Sequence, residues 1–137
     1  MKTRLARPDD LPAIMEIERE SFEEVGEAAM ASETMMRNRI IRCNAAEPGW
    51  FWVAVSGNTV EGYVVLQPTT LEPDSCTSWD ISTDNGTLER TFNNDGETVF
   101  GVSLGTRENA PSGTFYMLVY QGVLLWAKTH KKRLMLC

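Results

Sequence analysis

Two short stretches, one on each side of residue 107, contain residue types that could carry out chemistry. Residues 101–105, GVSLG, have the G-x-S-x-G pattern in which serine hydrolases present their nucleophile. Pro111–Thr114, PSGT, precedes an apolar segment as the start of an anion-binding helix would. The two patterns predict different functions, and the elements around them decide between the two.

The first pattern lacks the surroundings that a nucleophile requires. A nucleophile elbow places its serine on a sharp turn from strand to helix, and the helix follows at once. Residues 97–106 predict a strand that contains Ser103, and Pro111 delays the helix to about Gly113. His130 is the one histidine, at the far end of that helix, about 25 Å from its start at roughly 1.5 Å per residue. The spacing therefore argues against a serine hydrolase.

The later turn has the features of an anion site. Pro111 disfavours helical backbone at Ala110, Ser112 is a good N-cap, and Gly113 lets the backbone pass close to a ligand. In a parallel β-α-β unit such a turn faces the crevice where a pyrophosphate binds. The amides expected to be free are those of Gly113, Thr114 and Phe115. The alternative, that this helix start binds only water, stays open at this point.

Composition restricts the possible functions. The chain has 137 residues, 42% of them hydrophobic, which predicts one globular domain with a single core. The net charge of -6 argues against nucleic acid as a partner. The charged start, MKTRLARPDD, and the short apolar runs argue against a signal peptide and a membrane span, so a cytoplasmic protein is expected.

Cysteine and histidine usage predicts neither a disulfide framework nor a metal site. The three cysteines, Cys43, Cys76 and Cys137, show no C-x-x-C spacing, and His130 is the one histidine. We expect reduced structural thiols and no bound metal.

Hydrophobic periodicity predicts the elements that position these stretches. They are a strand over Thr3–Ala6, a helix over residues 10–22, a second helix capped by Ser32 and reaching Asn44, a hairpin around residues 56–58, a strand over Glu97–Thr106, a helix over Gly113–His130 and a buried strand over residues 133–137. The strand, helix and strand at the end predict a right-handed parallel β-α-β unit.

Two features of this pattern leave alternatives open. Glu18 falls on or beside the apolar stripe of the first helix, so it either bends out to water from the rim of the core or faces a substrate cleft. Residues 69–95 are polar and rich in turns, which fits either a small hairpin around Gly86, anchored by Trp79, Ile81 and Leu88, or a flexible loop.

The order of elements resembles the first two thirds of the GCN5-related N-acetyltransferase (GNAT) superfamily. The stretches that carry the resemblance are ARPDDLPAIMEIERESF, PGWFWVAVSGNTVEGYVVLQP and VFGVSLGTRENAPSGTFYMLVYQGVLLWAKTHKKRLML. The resemblance implies an α/β protein with a mixed sheet (α+β), in a three-layer α-β-α arrangement. Along the chain, the implied order of elements is strand-helix-helix-hairpin-strand-helix-strand, truncated after the fifth core strand. All 137 residues are expected to form this single domain.

The resemblance also implies a function, transfer of an acetyl group from acetyl-CoA to a small amine or an amino terminus. In the family's pyrophosphate motif, Q/R-x-x-G-x-G/A, laid on residues 110–115, Gly113 matches, whereas Ala110 and Phe115 depart from the pattern. The residues expected to bind acetyl-CoA are Val102, Ser103, Leu104, Arg107, Ala110, Pro111, Ser112, Gly113, Thr114 and Phe115. Amides near Leu104 would polarise the thioester carbonyl.

A glutamate often accepts the proton of the acceptor amine in this family. Glu97 and Glu18 are the candidates, and Glu97 is the predicted base because it begins the appropriate strand. The loop from Phe22 to Ala31 is expected to help select the acceptor.

In the family, the strand matched by Leu134–Cys137 is followed by another helix and two strands, and that helix usually carries the tyrosine that protonates the thiolate. A free strand edge and an apolar helix predict a homo-oligomer. Two alternatives to the enzyme stay open: a catalytically inactive or truncated GNAT-fold binding or assembly module, and an acidic interaction domain.

Overall fold

The computed structural model describes residues 1–26, 30–70 and 78–135. Its elements are β1 (Lys2–Leu5), a 3-10 turn (Pro8–Asp10), α1 (Leu11–Phe22), α2 (Glu33–Asn44), β2 (Phe51–Ser56), β3 (Thr59–Thr69), α3 (Trp79–Thr83), β4 (Thr98–Thr106), α4 (Thr114–Lys128) and β5 (Arg133–Met135). Apart from the 3-10 turn and the short α3, the order is the predicted one. Cys76 and Cys137 lie outside the described residues.

The strands form one mixed sheet in the order β1-β2-β3-β4-β5. The pairs β1-β2, β2-β3 and β3-β4 are antiparallel, and β5 runs parallel to β4. The parallel pair is the β-α-β unit predicted at the end of the chain, with α4 as its crossover helix. The predicted mixed α/β fold is therefore confirmed.

Helices cover both faces of this sheet. A Cβ atom added to Gly105 would meet Ile17 of α1, whereas one added to Gly62 would meet Leu118 of α4. Gly62 pairs with Thr106, the neighbour of Gly105 along β4. Because side chains of adjacent strand residues point to opposite faces, α1 and α4 lie on opposite sides of the sheet. The result is the expected α-β-α sandwich.

Residues close to the starts of α1 and α2 explain where these two helices begin. Ser32 Oγ accepts a hydrogen bond from the amide of Met35, which confirms the predicted cap of α2. Asp10 does not cap α1 with its side chain, because its carboxylate binds both terminal nitrogens of Arg4, at 2.7 and 2.9 Å.

The buried side chains of α2 are Met36, Arg39, Ile40 and Cys43. Burial raises the pKa of the Cys43 thiol to about 12, which fits an unreactive structural thiol.

The hairpin considered around Gly86 is wrong for the part of that segment that is described. Ser78 caps the short helix α3 instead, and Ile81 is 67% exposed rather than an anchor. Asp84, Asn85 and Gly86 all have positive φ angles, so the chain turns sharply after α3. Leu88 is fully buried, as expected of an anchor. In the described part of the chain, no helix is long and apolar enough to cross a membrane.

Candidate functional site

The site is built around a bulge in β4. Val65 of β3 pairs with Ser103, but the next residue, Leu66, pairs with Gly101, so Val102 is an extra residue without an opposite partner. The Val102 carbonyl oxygen accepts a hydrogen bond of 2.8 Å from Trp79 Nε1. The bulge resets the alternation of side chains, and Ser103 consequently faces α1 and α2 while Leu104 faces α4.

Within the described residues, β4 extends beyond its pairing with β5. The two strands pair over Thr98–Phe100 and Arg133–Met135. Residues 101–106 continue β4 past this point. A cavity of about 260 Å³, here called the apolar cavity, lies between this part of β4 and α4. Its walls are mostly aliphatic and include Val64, Leu66, Leu104, Leu118, Val123 and Leu134.

The opposite side of β4 borders a cavity of about 490 Å³, here called the polar cavity. Its charged lining residues are Glu18 from α1, Arg39 from α2 and Asp80 from α3. Glu18 is 3% exposed and Arg39 is 2% exposed, whereas Asp80 lies at the exposed rim. Val102, Ser103 and Leu104 line both cavities, so this short stretch of β4 is the wall between them.

A hydrogen-bonded chain of three side chains joins Glu18 to β4. The Tyr63 hydroxyl donates to Glu18 Oε1, and Glu18 Oε2 accepts the amide of Ala31 at 2.7 Å. Tyr63 and Ser103 oxygens are 3.1 Å apart. Since the single hydroxyl hydrogen of Tyr63 is given to Glu18, Ser103 is the donor in the second bond. Burial, reinforced by the charge of Glu18, raises the pKa of Tyr63, so its hydroxyl stays protonated at neutral pH.

Arg39 is a buried cation without a full set of partners. Its Nε donates to the Gly86 carbonyl at 2.8 Å, and its guanidinium lies 5.9 Å from the centroid of the Trp79 ring. Within the described residues, the hydrogen-bond partners of its terminal nitrogens are the thioether sulfurs of Met36, at 4.0 Å, and Met35, at 3.3 Å. Burial lowers the pKa of Arg39, while the negative charge of Glu18 acts in the opposite direction.

The predicted phosphate turn differs in detail from expectation. Gly113, not Ser112, is the N-cap residue of α4, and it adopts a φ of 92°. Nothing lies within 4 Å of a Cβ built there, so the left-handed conformation explains the glycine better than close packing does. The amide of Thr114 was expected to be free, but it donates to the Pro111 carbonyl at 3.2 Å. Phe115 is 52% exposed and does not line the apolar cavity.

Two predicted residues are already engaged elsewhere. Arg107 Nε donates to the Val60 carbonyl at 2.7 Å, and its Nη1 lies 3.6 Å from Glu16, so part of its guanidinium is engaged within the chain. Glu97 is exposed, pairs with Lys132 at 3.2 Å and lines neither cavity. Ser103 lies six residues further along β4, about 20 Å away at roughly 3.3 Å per residue. The placement favours Glu18 over Glu97 as a base, and the role of Glu97 stays a prediction.

Sequence reasoning did not select Tyr63 or Arg39. A signal existed for Arg39, because it occupies the apolar stripe of α2 at helical spacing from Met36 and Cys43, as Glu18 does on α1. Tyr63 reads as a strand residue of the core, and only the pairing of β3 with β4 brings it beside Ser103. Residues 1–26, 30–70 and 78–135 contain no cluster of three side chains able to hold a metal ion.

Comparison with known proteins identifies the fold. No protein-family model and no curated protein matches the sequence. Among solved structures, the GNAT-like decarboxylase GphF in complex with isobutyryl-CoA shares 19% identity at a TM-score of 0.68, covering 93% of this chain and 60% of that one. The loading GNATL domain of CurA from Lyngbya majuscula shares 12% identity at a TM-score of 0.68, covering 90% of this chain and 57% of that one.

A third solved structure contains acetyl-CoA. A GNAT family acetyltransferase from Brucella melitensis in complex with acetyl-CoA shares 14% identity at a TM-score of 0.59, covering 95% of this chain and 70% of that one. The chain therefore has the fold of the GNAT superfamily. It spans 60% and 57% of the length of the first two structures.

Proposed function

We propose that this protein binds acetyl-CoA and transfers the acetyl group to a small amine or an amino terminus. The observation that carries the proposal is that Val102, Ser103 and Leu104 line both the apolar and the polar cavity. A thioester lying against this wall would be open to an amine that arrives from the polar cavity. Structures of the same fold hold isobutyryl-CoA and acetyl-CoA, which supports an acyl-CoA as the donor.

The coenzyme side of the proposal depends on residues 101–106. An edge of β4 that continues beyond its pairing with β5 offers backbone groups to an extended ligand arm, as in strand addition. The apolar cavity beside it, of about 260 Å³, would take the acyl end. The exposed turn Pro111–Gly113 at the start of α4 would meet the pyrophosphate, through the amides of Gly113 and Phe115.

The amine side depends on the chain from Ser103 to Glu18. The nitrogen of the neutral amine attacks the thioester carbonyl carbon, the new C–N bond forms, and the C–S bond breaks to release the CoA thiolate. A proton passes from that nitrogen to Ser103, from Ser103 to Tyr63, and from Tyr63 to Glu18, which ends protonated. The order of donors in the resting protein matches this direction of transfer. Glu97 would need to act from about 20 Å away.

A non-catalytic GNAT-fold binding module is the second candidate. The engagement of the Thr114 amide by Pro111 favours it, because this bond removes a predicted phosphate donor, and the contacts of Arg107 with Val60 and Glu16 engage part of another. Turnover of acetyl-CoA with any amine excludes this candidate. Binding of CoA without turnover supports it.

Isothermal titration with CoA, together with thiol release from acetyl-CoA over a panel of amines, tests the proposal. Gly122 of α4 lines the apolar cavity, and a Cβ there would make ordinary contacts of 3.4 Å with Leu66. The series Gly122→Ala, Gly122→Val and Gly122→Leu should weaken CoA binding progressively as the side chain fills the cavity. The alanine variant should gain up to about 1 kcal/mol of stability from helix propensity. Equal affinity across the series, or no CoA binding by the wild type, would contradict the proposal.

We further propose that the protein acts in the cytoplasm and that it associates with itself. An aromatic surface on α4 supports self-association, since Phe115, Tyr116 and Tyr120 are 52%, 75% and 62% exposed. Size-exclusion chromatography with light scattering should show a dimer or larger species at micromolar concentration, and a clean monomer would contradict self-association.

A further inference from the structure

The polar cavity contains a cation that the described residues do not fully satisfy. Arg39 is 2% exposed, and among the described residues the hydrogen-bond partners of its terminal nitrogens are the sulfurs of Met35 and Met36. Thioether sulfur is a weak acceptor. A buried charge ordinarily has an ionic or strong hydrogen-bonding partner, because its transfer out of water is expensive. The guanidinium therefore presents unsatisfied donors at a cavity wall.

The nearest candidate partner does not fill this role. Glu18 lines the same cavity and interacts electrostatically with Arg39, but no ion pair joins the two side chains. Both oxygens of Glu18 already accept hydrogen bonds, one from the Ala31 amide and one from Tyr63. The two opposite charges thus face one cavity of about 490 Å³ without touching each other.

The geometry of Arg39 selects the kind of group that would complete it. The Gly86 carbonyl holds Nε, and the Trp79 ring lies against the guanidinium, so the group is fixed in place. A planar guanidinium with free terminal nitrogens matches a carboxylate better than it matches a single hydroxyl or amide oxygen. Asp80 lies at the exposed rim, where solvent screens its negative charge. That charge would repel a free anion more than a zwitterion, which has no net charge.

We propose that the acceptor is an amino carboxylic acid, whose carboxylate binds Arg39 and whose amino group lies at Ser103, at the end of the chain from Glu18. The buried cation complements the carboxylate of an amino acid. An amino acid that arrives as a zwitterion must first lose one ammonium proton to solvent, because only the neutral amine attacks the thioester, and the second proton passes through Ser103 and Tyr63 to Glu18. The cavity volume is within the range of small-molecule sites. This inference rests on the proposed acyl transfer, and it adds the substrate class.

Matched pairs of acceptors test the inference in the wild-type protein. We compare L-alanine with ethylamine, L-leucine with isoamylamine and L-phenylalanine with phenethylamine in the thiol-release assay with acetyl-CoA. Loss of a charge-assisted carboxylate contact should lower kcat/KM for the amine by about 10- to 100-fold. Equal rates for the members of each pair would overturn the inference while leaving acyl transfer intact.

Variants of Arg39 locate the effect. Arg39→Met should lower kcat/KM for the amino acid of each pair toward the value for its plain amine in the same variant, and a merely structural role would not remove this preference. Arg39→Lys keeps the charge without the planar fork, should restore part of the preference, and serves if the methionine variant does not fold. Arg37→Met is the matched control, since Arg37 lies on the same helix with its side chain 47% exposed. A preference retained in both Arg39 variants would overturn the inference.

Two further measurements separate this inference from the proposed function. Calorimetry with amino acids in the absence of acetyl-CoA does not depend on turnover. Arg39-dependent binding of an amino acid, with no acetyl transfer under any condition, would retain the carboxylate site but overturn its role as an acceptor site. Arg39-dependent binding of malonyl-CoA in preference to acetyl-CoA, with no preference among acceptors, would place the carboxylate on the acyl group and overturn the inference.

Discussion

The two sides of β4 differ in chemistry although they share the same three residues. On the α1 and α2 side, Ser103 faces Tyr63, Glu18 and Arg39, and the cavity wall carries buried charge. On the α4 side, Leu104 faces aliphatic side chains. Strand geometry makes this separation possible, since successive side chains point to opposite faces and a bulge changes which residue faces where. One strand can thereby present a polar surface to an acceptor and an apolar surface to an acyl group.

The two sides of β4 also differ in the kind of side chain that is buried there. The polar side holds two charged side chains that are nearly inaccessible, Glu18 and Arg39, which a stability argument alone does not explain. The apolar side holds residues such as Leu118 that any core would contain. Removal of the Glu18 charge should therefore change chemistry more than stability, and truncation of a packed side chain such as Leu118 should do the reverse.

The largest expected effect is on turnover and comes from Glu18→Gln. The amide cannot accept the proton that the chain delivers, so kcat should fall by about 10²- to 10⁴-fold. CoA affinity should change little, because Glu18 lines only the polar cavity. Steady-state kinetics and CoA calorimetry measure the two quantities.

Glu23→Gln is the control, because Glu23 is exposed immediately after α1. The other candidate base is tested in the same assay with Glu97→Gln. If that variant loses turnover and Glu18→Gln keeps it, the base is Glu97 and the assignment of the polar cavity is wrong.

The next effect is on stability and comes from Leu118→Ala. Leu118 is fully buried beneath β3, so the cavity left by truncation should lower the free energy of unfolding by about 2–5 kcal/mol. Tyr116→Ala, at a position 75% exposed on the same helix, should change it by less than about 0.5 kcal/mol. Urea denaturation followed by circular dichroism compares the two, and similar losses would mean that α4 is not packed as described.

A smaller effect, with a distinctive pH dependence, comes from Tyr63→Phe. Removing the hydroxyl leaves Glu18 and Ser103 without their shared partner and should cost about 1–3 kcal/mol at neutral pH. The pKa of Tyr63 is raised in the folded protein, so the unfolded chain loses this proton first as pH increases. Wild-type stability should therefore fall above a pH of about 10, the ordinary tyrosine pKa.

The phenylalanine variant should show a shallower decline over that alkaline range, since it lacks the titrating hydroxyl. Denaturation midpoints measured between neutral and alkaline pH test this difference. Parallel declines in the two proteins would show that Tyr63 does not titrate differently in the folded and unfolded states.

The smallest effect is at the start of α4. Gly113→Ala should cost about 1 kcal/mol, because a side chain is strained at a φ of 92° even though space is available. Gly113→Asn should cost less, since asparagine tolerates left-handed backbone. Thermal unfolding orders the variants, and an alanine variant as stable as the wild type would show that the turn adopts another conformation.

Much of the fold was predictable because its determinants are local. The cap at Ser32, the turn at Gly57 and the proline before α4 each act within a few residues of their own position. The segment after β3 was not predictable in the same way, because Asp84–Gly86 read equally well as the turn of a hairpin. The choice between the two alternatives for Glu18 could not be made either, since a side chain at the edge of the apolar stripe can face either the solvent or a cleft.

The periodicity, caps and turns of the chain were sufficient to predict its helices, its hairpin and its parallel β-α-β unit, and to place Ser103 within a strand rather than on a nucleophile elbow. These properties depend on neighbours along the chain, which the sequence lists in order. The mixed sheet in a three-layer arrangement was implied by the resemblance to the GNAT superfamily. Tertiary structure alone decided that Tyr63 joins Glu18 to Ser103, that Arg39 faces their cavity and that Arg107 is engaged by Val60. Such contacts join residues 40 to 47 positions apart, and strand register and helix packing bring them together.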